Sequence, residues 1–327
     1  MLGKIGSLHQ KHPQASIFVI SSNPSPDHIV EVMKAGASEF FMHPVNPEKI
    51  REAMNRVRLK LVEGGQKTIG RAFAFIGSKG GLGTTVLAVN TAVAMAAARG
   101  AQKTALVDLS LQSGDSSVLL DLVPKTTMAD VVHNFSRFDP AFLAGVMEPS
   151  DVGVDLLAAP PSPEESAEVT GEQVARVLQA CRRLYPLTAV DCPAMTLDER
   201  TMEALRGAQM VLVVTDLSVP AVRNAARLLK QLRRHEIPRV EVVVNRFVKG
   251  QSGTLEEVEK TLERRVFWLF PNDYETTIAA TNRGTPLLKY DPRSPLARSI
   301  VEFAQKLQDA SAFPNYRGVK GLLGKAI

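Results

Sequence analysis

Little in this 327-residue chain invites metal, disulfide or membrane chemistry. It has two cysteines, Cys181 and Cys192, and no metal-ligand spacing links them. Both read as reduced, buried, small apolar residues. No apolar run approaches the roughly 20 residues that a membrane-spanning helix needs. The nearest stretch, 91–98, is alanine-rich and short. The opening MLGKIGSLHQKHPQ has no apolar core of signal-peptide type, so the expected location is cytoplasmic. Internal repeats and low-complexity segments are missing as well. The net charge of +5 is mild: it permits attraction to nucleic acid or anionic lipid and demands neither. What remains is an ordinary globular composition, 45% hydrophobic and 22% charged, on a chain long enough for two domains.

The first 61 residues read as one unit. IFVIS, 17–21, is a buried strand, and NPSPD leads into a helix at 28–35. A glycine-marked stop precedes a short strand at 39–42, and a helix spans 47–61 with Ile50, Met54 and Val57 at helical spacing. Residues 62–70 read as a linker. From residue 71 to 310 strands alternate with helices, and 311–327 form a tail. The strands are expected at 72–76, 105–108, 154–158, 187–191, 210–215, 240–245 and 266–269. Helices are expected at 85–98, 171–184, 197–205, 220–235 and 255–264. Most of the strands are continuous apolar runs, which means burial on both faces. The fold class is therefore α/β, a mostly parallel, doubly wound sheet.

Within that frame the strand AFAFI runs into GSKGGLGTT, 77–85, and then into a helix. Strand, glycine-rich turn and helix are the context of a phosphate-binding loop. Gly80, Gly81 and Gly83, with Leu82 between them, let backbone N–H groups approach a phosphate, helped by the helix N-terminus. Thr85 is placed to offer its hydroxyl to Mg²⁺. Thr84 stands where such loops carry a lysine. Further stations follow at strand ends: Asp108, Asp191 with a role toward Mg²⁺, and Asn245 with Arg246, where an amide can read an adenine edge. Any one of these alone is as well read as a cap or a solvated residue; their shared placement points to a nucleotide.

KGGLGTT resembles the deviant phosphate loop KGGxGKT of the MinD/ParA ATPases, and VDLSLQSGD resembles that group's VDLDLQFGD. The resemblance implies ATP and Mg²⁺ as ligands, held by Lys79, Gly80–Thr85 and the strand-end stations. It also implies a homodimer formed on ATP, in which Lys79 reaches the partner's nucleotide. Lys79, Asp108 and Asp191 form the implied catalytic set, with Thr85, Asp108 and Asp191 around the metal. The segment 270–287, FPNDYETTIAATNRGTPL, is similar to one branch, the CpaE/TadZ proteins of Flp/Tad pilus assembly. There Pro271, Asn272 and Asp273 border the base. That branch implies pilus secretion-machine partners and a peripheral place at the inner membrane or cell pole. The match covers about 71–307.

Residues 8–61 resemble the second half of a receiver domain. IFVISSN is similar to its fourth strand, with Ser21 at the switch hydroxyl, and EFFMHPVNPEKI to its fifth, with His43 in place of the usual lysine before Pro44. The half that holds the phospho-acceptor has no counterpart. The only aspartate before residue 100 is Asp27, at a helix start, so no phosphorylation switch is expected. A half-domain leaves a sheet edge unpaired, which favours pairing with another surface or partial disorder.

Two departures bear on hydrolysis. Thr84 replaces the loop lysine, and Ser110 replaces the second aspartate of the DxD segment. A charge about 4 Å from a phosphate oxygen is worth about 4 kcal/mol at an effective dielectric near 20. Acting in the transition state, its loss slows chemistry by roughly two to three decades. The expectation is ATP as a dimer clamp with weak or absent hydrolysis. Asp115 reads either as a substitute carboxylate or as a helix-start carboxylate. The alternative is a ParA-like partition ATPase that binds DNA non-specifically. Its support is the helix at 220–235, with Arg223, Arg227, Lys230 and Arg234 along one face; without interleaved aromatics, DNA is not favoured. The tail, basic and glycine-broken with Leu322, Leu323 and Ile327, reads as disordered or as a membrane-surface contact. His133 and His235 read as ordinary helix residues, and Trp268 and Phe270 as core.

Overall fold

The computed structural model describes residues 5–8, 15–22, 25–47, 49–50, 52–53, 69–98, 103–248, 250 and 252–309. The chain divides into two compact units, 1–67 and 68–327. The expected linker, apart from residues 69 and 70, the tail, and most of the helix at 47–61 lie outside the described residues.

In the first unit β1 (Phe18–Ser21), α1 (Pro26–Lys34) and β2 (Glu39–Met42) form a parallel β–α–β element, with Phe18 opposite Glu39 and Ser21 opposite Met42. Ser25 starts α1 by accepting from the His28 N–H at 3.1 Å, and Asp27 sits in the first turn, where a carboxylate suits the helix dipole. Ile5, Val19, Val32 and Ala37 form a small core.

The described residues of the second unit are built on one eight-stranded sheet. Its strands are β3 (Arg71–Gly77), β4 (Thr104–Asp108), β5 (Glu148–Pro149), β6 (Val154–Leu157), β7 (Leu187–Cys192), β8 (Met210–Thr215), β9 (Val240–Phe247) and β10 (Trp268–Pro271). They lie in the order β10-β9-β8-β3-β7-β4-β6-β5, all parallel except β5. The helices are α2 (Thr84–Ala98), α3 (Met128–His133), α4 (Pro140–Val146), α5 (Pro163–Ala167), α6 (Gly171–Leu184), α7 (Glu199–Gly207), α8 (Val219–Arg234), α9 (Ser252–Leu262), α10 (Tyr274–Asn282), α11 (Leu287–Tyr290) and α12 (Pro295–Gln308). The path from β3 runs out past β7 to β4, returns to β7, and continues on the other side through β8, β9 and β10. With right-handed crossovers this places α2 on one face and α8 and α9 on the other. The order reverses beside β3, and such a reversal opens a crevice at the strand C-termini.

Each central strand is buried along its whole length, apart from the half-buried Arg71 that opens β3, as its unbroken apolar run requires. Helix α2 is buried from Leu87 to Ala96; its alanines allow close packing against the sheet and α12. Asn90 and Thr91 are its buried polar residues, and Asn90 bonds through both ends of its amide. Its Nδ2 donates to the Val86 carbonyl at 2.8 Å, and its Oδ1 accepts from the Leu287 N–H at 2.7 Å, which ties α11 to α2. Phe270 meets Phe303 edge-on at 4.9 Å, and Trp268 donates to Ser299 Oγ at 3.0 Å. Cys181 and Cys192 are both buried thiols, and burial pushes that of Cys192 up.

Most boundaries shift from expectation by one to three residues, and three of the shifts have a visible cause. The last strand lies at 268–271 instead of 266–269. It is an edge strand, where a proline that donates no hydrogen bond is tolerated at its end. Helix α7 begins at Glu199 because Asp198 accepts from the Thr201 N–H at 2.9 Å and caps it. Helix α9 ends at Leu262, and Glu263 follows with φ +52°.

Candidate functional site

The loop after β3 turns through Gly81 (φ +76°) and Gly83 (φ +80°) before α2 begins at Thr84. At Gly83 space matters as much as backbone freedom: a Cβ there would lie 2.8 Å from Asn245 Nδ2. The loop opens onto a cavity of about 730 Å³, walled by the segments after β4 and β7 and by α5. Lys79, Gly80, Gly81, Gly83, Thr84 and Thr85 all line it.

Thr85, on the cavity floor, donates from Oγ1 to Asp191 Oδ2, buried behind it, at 2.7 Å. Asp191 stands at the end of β7, directly opposite Asp108 on β4. Asp108 accepts from the Ser110 N–H at 2.9 Å and the Ser116 N–H at 3.2 Å. Both carboxylates are buried. Burial pushes Asp108 up to about 6, against the pull of its hydrogen bonds and with help from the charge of Asp115. Burial, and then the charge of Asp108, hold Asp191 well above the usual carboxylate range. Asp191 Oδ1 is buried without a hydrogen-bond partner. An orphaned carboxylate oxygen, a threonine hydroxyl and a second carboxylate make an all-oxygen set that suits Mg²⁺, directly or through water. Among the described residues no three His, Cys, Asp or Glu side chains converge as a metal cage, and a Mg²⁺ carried in on phosphates needs none.

Thr84 turns its hydroxyl back over Gly77, 2.7 Å from the place a Cβ would take there, and brings no charge. Ser110 Oγ lies 3.0 Å from Ser113 Oγ, and both line the cavity. Asp115 is exposed on the cavity wall. The expectation that it starts a helix is corrected: the 3₁₀ turn Val118–Leu120 begins at Ser117, with no side-chain cap.

A second cavity of about 190 Å³ lies beside the first. Asn245, Arg246, Pro271, Asn272 and Asp273 line it, together with Tyr274 and Ile278. The structure thus brings every expected base-side residue to one place. Asn245 has a structural task as well: Nδ2 donates to the Leu82 carbonyl at 2.8 Å, and Oδ1 accepts from the Arg246 N–H at 2.9 Å. These bonds brace the loop and use one of the two N–H groups of the amide.

Sequence reasoning missed Arg200. It lines the main cavity and crosslinks its wall, with Nε on Asp198 Oδ2 at 2.8 Å and Nη1 on the Ser166 carbonyl at 2.9 Å. Ser166 Oγ in turn donates to the Leu111 carbonyl at 2.7 Å. No local pattern marks this arginine, because its partners are 2 and 34 residues away on different elements.

No protein-family model matches the chain. An ATP-binding protein of Methanocaldococcus jannaschii is 29% identical over 239 residues, covering 72% of this chain and 87% of its own. The crystal structure of a ParA family ATPase from Chlorobium tepidum superposes with a TM-score of 0.69 at 27% identity, over 74% of this chain and all of that one. The septum site-determining protein MinD of Pyrococcus horikoshii, solved with Mg-ADP, shares the fold at a TM-score of 0.64 and 21% identity, over 75% of this chain and 98% of its own. The chain has the fold of the MinD/ParA P-loop ATPases and is similar in sequence to ATP-binding proteins of that group.

Proposed function

We propose that this protein binds Mg²⁺-ATP, dimerises on it, and uses the dimer to localise or assemble a Flp/Tad pilus secretion machine, with weak or absent hydrolysis. The observation that carries the nucleotide half is the floor of the main cavity. There Thr85 donates to the buried Asp191, which stands opposite Asp108, beside a glycine loop of left-handed turns and with one carboxylate oxygen left unpaired. In that site the loop N–H groups hold phosphates, the three oxygen-bearing side chains hold Mg²⁺, and Lys79, exposed at the mouth, is free to reach a second copy. Bound Mg²⁺ would neutralise charge between the phosphates. Weak hydrolysis follows from an uncharged Thr84 and from Ser110 at the second acidic position. The pilus half rests on the 270–287 segment and on the parallel β–α–β first unit, read as part of a receiver-like domain.

Calorimetry and light scattering with Mg²⁺-ATP test it together. Wild type should bind and dimerise. Lys79→Ala should still bind within a few-fold and stay monomeric. A wild type that remains monomeric at saturating ATP removes the clamp.

The partition-ATPase reading takes second place. One observation favours it: Arg223, Arg227, Lys230 and Arg234 are all exposed on α8, and none is in an ion pair among the described residues. Against it, the adjoining α9 exposes Glu256 and Glu257, with Glu263 just after its end, which repel a polyanion. It requires DNA retention that falls steeply with salt and collapses in Arg227→Glu; filter binding across a salt series decides.

A further inference from the structure

The loop has no lysine at position 84, yet three cations line the main cavity: Lys79, Arg200 and Arg246. Arg200 is committed to Asp198 and the Ser166 carbonyl. Lys79 is exposed at the mouth. Arg246 is placed differently. It sits near the end of β9 with φ +57°, a left-handed backbone that long side chains rarely adopt. The Asn245 amide holds it there, with one end on the Arg246 N–H and the other on the Leu82 carbonyl. Its side chain runs back across 165 residues of sequence to the phosphate loop, where Nη2 donates to the Gly81 carbonyl at 2.8 Å. That bond occupies one of the guanidinium's five N–H groups. Arg246 is also the one cation that lines both the main cavity and the smaller one beside it. Arg246 is exposed, yet its backbone is strained, it is braced by a buried amide, and its side chain is held on the loop between two cavities, which an unanchored surface arginine is not.

We propose that Arg246 supplies, within the same chain, the positive charge that Thr84 has removed from the loop, by contacting the phosphate chain of the bound nucleotide. This rests on the ATP-binding reading and adds to it the cation that makes binding possible without a loop lysine. A guanidinium suits the task, because its planar fork meets two phosphate oxygens at once.

The test is a double-mutant cycle read by binding. Mg²⁺-ADP is titrated by calorimetry, and pyrophosphate by competition against it, for wild type, Arg246→Gln, Thr84→Lys and the double variant. Glutamine keeps an N–H donor for the Gly81 carbonyl while removing the charge. Arg246→Gln should weaken both ligands by about tenfold to a hundredfold. Thr84→Lys in the same chain should recover most of that loss, which a merely loop-shaping role does not allow. Unchanged binding in Arg246→Gln overturns the assignment. A loss confined to ADP, or one that Thr84→Lys leaves untouched, does the same. A wild type that takes up neither ligand at millimolar concentration overturns the nucleotide reading itself, and Arg246 with it.

Discussion

Asp191→Asn is expected to make the empty protein more stable and to cost it its Mg²⁺-nucleotide. Asp191 and Asp108 face each other across β7 and β4, both buried, with Asp191 Oδ1 unpaired. Two carboxylates held this way are a stored electrostatic cost, released when one becomes a neutral amide that still receives the Thr85 hydroxyl. The apo melting temperature should rise by about 2–5 °C. Affinity for Mg²⁺-ATP should fall by roughly a hundredfold, because an amide is a poor Mg²⁺ partner. Apo wild type should show the same logic against pH. The folded value for Asp108, about 6, lies above its ordinary 3.8. Its protonated form is therefore favoured by folding. That contribution is complete below about 3.8 and is lost as pH rises through 6, so apo stability should increase from pH 7.5 to 5.5. Nucleotide binding should change the other way, since Mg²⁺ needs both carboxylates charged. Differential scanning calorimetry with and without Mg²⁺-ATP measures both. An apo Asp191→Asn that melts below wild type would contradict the account of the floor.

Thr84→Lys should raise steady-state ATP turnover by roughly a hundredfold. The site has room for the side chain: Thr84 already lines the 730 Å³ cavity, and its hydroxyl is turned back toward Gly77. The new ammonium would face the charge that develops on the transferred phosphoryl group. The gain stays at the low end of the two to three decades of a lone charge, because Arg246 already lies over the loop and Ser110 offers no carboxylate to the attacking water. Phosphate release under saturating Mg²⁺-ATP measures it. Turnover that remains at the wild-type level would place the limiting defect at Ser110, or outside the loop.

The sheet was legible because each strand advertises double burial. AFAFI, at 72–76, is five apolar residues in a row, and the structure leaves none of Ala72–Ile76 exposed. The loop was legible because its glycines serve backbone geometry, which a local pattern can encode. The site's second half was less so. Asn245 stands at the right strand end, but spacing does not say where its amide points, and a contact 163 residues away decides that. Arg200 and Arg246 carry ordinary surface-type side chains, and only tertiary hydrogen bonds give them positions. β5 went unseen for another reason. Two residues, one of them proline, carry no period, and the strand exists only because β6 offers it an edge.

Arg71, the first residue of β3, donates to the carbonyls of Leu307 and Gln308 at 3.2 and 2.8 Å and so closes the last turn of α12. The start of β3 and the end of α12 therefore lie side by side, at the foot of the strand whose other end is the phosphate loop. Seven residues of β3 separate the two poles by about 20 Å. Arg71 and the end of α12 are thus pinned together at the pole of β3 away from the phosphate loop, so the hydrogen bonds that close the last helix are made at the far end of the strand that carries the loop.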